Sequence, residues 1–130
     1  MIHLIRLGGV LNALLAIFHI LFWKMLNWPE SLSSLNSDQQ AIMQVLNIHL
    51  ILIISFFGFV SILYPASLLK SKMGKMVLVL IALFYLLRLV NEVIFWDISQ
   101  VVSIVILLIC AFVAGIYILG IKHGANVKTV

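Results

Sequence analysis

The sequence predicts an all-α integral membrane protein: a four-transmembrane-helix antiparallel bundle, up-down-up-down, forming a single membrane domain over residues 1–130. Three observations predict it. The chain is 65% hydrophobic and only 9% charged, with a mean hydropathy of +1.27, a composition far outside that of soluble domains. Four apolar stretches, 4–26, 42–63, 73–96 and 98–121, each match the roughly 20 residues that cross a hydrocarbon core at about 1.5 Å per residue. These stretches use nearly the whole chain and leave no room for a soluble domain. A β-barrel strand would alternate apolar and polar residues, and residues 77–84, Val-Leu-Val-Leu-Ile-Ala-Leu-Phe, do not.

Taken in order, the first stretch begins with Arg6, but it is too long for a signal peptide and lacks a small-x-small cleavage site, so it is read as a retained helix. Trp28-Pro29-Glu30 ends it, because proline cannot donate to a continuing helix. The same Pro29 and Glu30 suit the first turn of a short helix running through Leu32 and Leu35. Ser37 with Gln40 reads as a capping box opening the second span. Tyr64-Pro65 closes that span, and Met73-Gly74-Lys75 is read as a break before the third. The turn around Asp97 is short, which makes the third and fourth helices antiparallel neighbours. The tail over 125–130 is expected to fray.

With four spans, both termini and the 64–75 connection share one side. That side carries Arg6, Lys70, Lys72, Lys75, Lys122 and Lys128 and no acid, whereas Lys24 and Arg88 on the other side are matched by Glu30, Asp38, Glu92 and Asp97. Lysine and arginine excess marks the cytoplasmic face, so both termini are expected in the cytoplasm, with the chain in a bacterial inner (plasma) membrane. Trp23, Trp28 and Trp96 are expected at the outer boundary, and Tyr64 and Tyr117 toward the inner one. The net charge of +4 is explained by this topology. No basic run with interleaved aromatics is present, which excludes a nucleic-acid partner. The expected partners are the lipid bilayer and a homo-oligomer or larger membrane complex. The lone Cys110 reads as a small buried apolar residue.

Ionisable residues inside a bilayer are costly and mark candidate sites. Counted from the outer boundary, His19, His49 and Arg88 sit at a similar depth of roughly 13–17 Å, with Glu92 shallower. On the first helix Gly8, Asn12, Ala16 and His19 share a stripe; on the third, Tyr85, Arg88, Asn91 and Glu92 do. On the fourth, Ser103, Cys110, Ala114 and Tyr117 form a milder polar stripe, and Ala111 with Gly115 forms a small-x-x-x-small pair suited to close helix approach. The second helix is ambiguous, since Gln44 and Asn47 point about 140–200° away from His49. His49 is expected inside, packed with Leu46, Ile53 and Phe56.

Arg88 and Glu92, four apart, suit an intrahelical ion pair; alternatively Arg88 binds an anion through its donor fork and Glu92 takes a proton or cation. His19 and His49 suit hydrogen-bonded staples between helices, a ligand pair for a transition metal or haem iron, or proton handling. A His19/His49/Glu92 metal site has suitable ligands, though Arg88 would oppose the cation. The methionines form no stripe with the histidines, so a copper(I) path is unsupported. No nucleophile–base motif supports an enzyme. The leading expectation is therefore a binding protein. Its polar pocket, open to the outer face and lined by Asn12, His19, His49, Tyr85, Arg88, Asn91 and Glu92, would hold a small ligand, haem or a metal ion. Its rivals are a structural or accessory membrane subunit whose polar residues staple helices, and a proton-coupled transport element.

Overall fold

A computed structural model describes residues 1–126 of the chain; Lys128 and the rest of the 127–130 tail lie outside the described residues. Seven helices follow one another: α1 (Ile2–Ile20), α2 (Phe22–Met25), α3 (Trp28–Ser31), α4 (Ser37–Leu63), α5 (Pro65–Lys70), α6 (Lys72–Phe95) and α7 (Val101–Asn126). No strand occurs among the described residues. α1, α4, α6 and α7 are each long and apolar enough to cross a membrane, so the fold is the four-helix membrane bundle that the composition predicts. Between 28% and 33% of each span is buried inside the protein. The remaining surface is dominated by side chains such as Leu52, Leu83 and Phe112, which only lipid or another apolar surface can cover.

The bundle is two helical hairpins. α1 packs along α4 and α6 along α7, and α1 joins the pairs through α7. The core between them is Ile5, Phe57, Leu78, Ile81, Tyr85, Val113 and Tyr117. Glycines set the α1–α4 distance. A Cβ on Gly9 would lie 2.8 Å from the Ile62 side chain and 3.0 Å from the Ile62 backbone nitrogen, and one on Gly58 would lie 3.2 Å from the Gly9 carbonyl oxygen. Such backbone-to-backbone approach is how membrane helices gain packing without a hydrophobic driving force between them. Ala111 and Gly115 are not used this way: a Cβ on Gly115 would meet nothing within 4 Å, and Ala111 is exposed.

Several boundaries differ from the sequence reading for local reasons. α1 ends at Ile20 rather than continuing to 26; Leu21 keeps helical dihedrals and leads into α2. The reversal falls on Asn27, at φ 46° and ψ 49°, a left-handed conformation that asparagine tolerates better than most residues. Asn27 also donates to Glu30 Oε2 at 2.5 Å. A short helix forms at Pro29 but ends at Ser31, short of the expected Leu32 and Leu35; Trp28 in it and Leu32 at its cap are buried. Trp28 therefore packs inward against Phe22 and Trp23, whereas Trp23 and Trp96 are exposed. The α4 capping box starts one residue before Ser37: Asn36 accepts from the Gln39 N–H at 2.9 Å, and its own N–H donates to Gln39 Oε1.

The connection after Tyr64 contains a separate helix, α5, with Pro65 at its first position. The break before α6 is Ser71, whose Oγ accepts from the Gly74 N–H at 2.9 Å. Gly74 is inside α6, and a Cβ there would fall on the Ser67 carbonyl and the Leu68 backbone. Glycine at this point permits close packing; it does not break the helix. α7 begins at Val101 rather than 98 and runs through Asn126; most of the 125–130 tail that was expected to fray lies outside the described residues. In the turn between α6 and α7, the Ser99 hydroxyl and N–H both donate to Asp97 Oδ1, which holds that carboxyl below the usual aspartate value.

Overpacking a tight helix interface costs about 1–3 kcal/mol. Gly9→Val should therefore lower the thermal midpoint in detergent clearly, while Gly115→Ala, with open space around it, should leave it unchanged.

Candidate functional site

The polar residues of the spans gather into two groups at different heights. The inner group is built on Asn12. One turn below it on α1, Gly8 leaves a free carbonyl approach, and Asn12 Nδ2 donates to the Gly8 oxygen at 2.7 Å. The same nitrogen donates to the Tyr117 hydroxyl of α7 at 2.9 Å. Asn12 Oδ1 accepts from the Tyr85 hydroxyl of α6 at 2.7 Å. Tyr117 then meets Ser61 Oγ of α4 at 2.9 Å. Because Asn12 already donates to Tyr117, the tyrosine proton is free to go to Ser61. A single amide thus touches α6 and α7 directly and α4 through one tyrosine. Asn12, Ser61 and Tyr117 are 0% exposed and Tyr85 2%, so no water or ligand reaches these groups. Gly8 makes room for this: a Cβ there would lie 3.0 Å from the Tyr117 hydroxyl oxygen.

The outer group is built on Glu92. It is completely buried, where its carboxylate accepts from the Ser103 hydroxyl of α7 and pairs with Arg88 one turn earlier, Nη1 to Oε2 at 2.5 Å. That oxygen has an ionic partner in Arg88 but no hydrogen bond beside it. Arg88 is 34% exposed, and its guanidinium lies 5.9 Å from the Trp96 ring centroid, in range of a cation–π contact. The intrahelical Arg88–Glu92 pair is therefore present, with the arginine stem leading outward.

The histidines do not meet. Asn47 of α4 is buried and donates to the His19 backbone oxygen at 3.1 Å, so the Asn47 face of α4 packs on α1. His49, about 200° further round the helix, is exposed on the outside of the bundle with Leu46, Ile53 and Phe56. The expectation that His49 lies inside is thus corrected. The reason is that Asn47 needs a buried acceptor and finds one, whereas His49 satisfies itself locally. Its Nδ1 lies 2.8 Å from the Val45 oxygen, and His19 does the same with Leu15. His19 is half-buried, beside Phe22 at 4.7 Å between ring centroids. His19 thus lies on the α1 side, half-buried, and His49 faces out. Among the described residues no three His, Cys, Asp or Glu side chains gather as a metal-binding group.

Of the seven candidate pocket residues, Asn12 and Tyr85 are bonded to each other in the closed core. Arg88 and Glu92 are paired nearer the α6–α7 turn, and His19 and Asn91 are half-buried. Ser61 and Ser103 were not singled out as site residues, and Tyr117 was expected at the inner boundary; all three are interior hydrogen-bond partners. One pairing had a sequence signal: Glu92 lies five residues before Asp97 and Ser103 six after it, so a tight antiparallel turn places them at one height. Comparison of the chain with protein-family models, curated sequences and solved structures finds no match.

Removing one partner of a buried ion pair leaves an uncompensated charge. Because Arg88 is one-third exposed, Arg88→Ala should cost about 2 kcal/mol rather than the full value for a buried pair. Arg88→Ala combined with Glu92→Gln should recover part of that loss, measured by denaturation in micelles.

Proposed function

We propose that this chain is a non-catalytic structural or accessory membrane subunit, a rigid four-helix element whose interior polar residues tie its helices together. One observation carries the reading. The deepest polar groups, Asn12, Tyr85, Tyr117 and Ser61, use their hydrogen-bonding capacity on one another. A binding site would leave such groups aimed at a cavity, since buried polar atoms without partners are what a ligand satisfies. The working surface is then the exterior, an apolar belt suited to lipid or to neighbouring apolar chains.

The charge distribution supports the termini and α5 lying on the cytoplasmic side of a bacterial inner membrane, because Arg6, Lys70, Lys72, Lys75 and Lys122 are gathered there. A second reading rests on the outer group. Arg88, His19 and Asn91 are all partly open, a set of polar groups that a small hydrogen-bonding ligand could meet.

Native mass spectrometry of gently purified protein separates the two. The structural reading predicts no bound species other than phospholipid. It also predicts that Asn12→Leu lowers stability by about 1–3 kcal/mol, while the combined His19→Ala/His49→Ala variant assembles normally. A stoichiometric small molecule or metal that is lost in Arg88→Ala or His19→Ala would overturn the structural reading and establish the outer-end site.

A further inference from the structure

At the terminal end of the bundle the start of α1, the length of α5 and the end of α7 converge on a cavity of about 360 Å³, lined by Ile2, His3, Ala66, Leu69, Lys70 and His123. α5 closes one wall because Pro65, Leu68 and Leu69 are buried against the bundle while Ala66 and Lys70 are exposed. Gly124 lets α7 approach it, since a Cβ there would lie 2.7 Å from the Leu69 carbonyl oxygen. The cavity thus presents only apolar surface, and one lysine and two histidines border it through their carbon atoms, leaving their polar ends at the rim, outside the cavity.

No acid balances that rim. The chain has four acidic residues. Glu30 lies in α3 and Asp38 in the first turn of α4, while Glu92 and Asp97 lie near the α6–α7 turn, all toward the opposite end. Arg6, Lys72, Lys75 and Lys122 add further positive charge around the terminal end. The cavity's size falls in the range of small-ligand sites. It lies where spans 2–20 and 101–124 begin and end, the end at which a bilayer crossed by those helices would place its phosphates. Basic clefts between membrane helices hold anionic head groups in this way.

We propose that this cleft is a binding site for a phosphate-bearing anion, with the phosphate held at its mouth by Lys70, His3 and His123. Ile2, Ala66 and Leu69 form an apolar floor beneath, suited to the glycerol and first acyl carbons of an anionic phospholipid. A free phosphate shares the anion chemistry but gains nothing from the apolar floor. The site is separate from the two interior polar groups, so it stands whether or not the structural reading above holds.

The test uses the full chain in phosphatidylcholine nanodiscs, with native mass spectrometry reading retained lipid and NMR reading the Lys70, His3 and His123 side chains. Phosphatidylglycerol doped into the discs should give one retained lipid and saturable shifts at all three residues. Lys70→Gln should weaken this about fivefold, the effect of one basic residue at a membrane surface, and Lys24→Gln at the opposite end should not. Both variants should keep wild-type thermal midpoints, since Lys70 and Lys24 are exposed. Saturable shifts with inorganic phosphate at equal concentration would assign the site to soluble phosphate and keep the anion chemistry. The absence of saturation with either probe, or retention unchanged by Lys70→Gln, would overturn the proposal.

Discussion

The Asn12 side chain has no water to turn to, and the rest of the bundle is arranged around that fact. An amide in an apolar membrane interior must find partners or carry a penalty of several kcal/mol. Asn12 finds them on three elements: the Gly8 carbonyl of its own helix, Tyr117 of α7 and Tyr85 of α6. Since Tyr117 reaches Ser61 of α4, the rotation and height of all four spans are fixed by one connected set of bonds. Apolar packing alone would allow each helix to slide or turn at little cost, because its outer face is equally content in lipid.

The glycines belong to the same arrangement. Gly8 leaves space for the Tyr117 hydroxyl, and Gly9 and Gly58 bring α1 and α4 close enough for Ser61 to join. Toward the α6–α7 turn the Glu92–Ser103 bond ties α6 to α7, with Arg88 pairing to Glu92 within α6, and Asn47 ties α4 to the backbone of α1. Each hairpin thus has its own outer tie, and the Asn12 set joins the hairpins deeper in.

The four spans, the short helix at Pro29 and the inward stripes on α1, α6 and α7 were legible in the sequence, because length, proline and helical periodicity are local properties. Gly8, Asn12 and Ala16 on one stripe, and Ser103, Cys110, Ala114 and Tyr117 on another, are buried as that periodicity requires. What periodicity could not decide was which of two polar faces of α4 turns inward. That choice depends on the partner waiting across the interface, here the His19 carbonyl for Asn47, and the partner is known only once the helices are docked. Gly74 was misread for a related reason: glycine breaks a helix in solution, yet in a tight bundle it is the residue that lets a helix stay against α5. The polar groups were recognised individually, but whether they aim at a cavity or at one another is a tertiary property.

The central claim is that Asn12 and Tyr117 are energetically coupled across the two hairpins. A double-mutant cycle of Asn12→Ala and Tyr117→Phe, read by unfolding in lipid bicelles, tests it most directly. The account predicts a coupling free energy of about 0.6–1.7 kcal/mol, the range found for hydrogen bonds between membrane helices. Strictly additive effects of the two substitutions would contradict it.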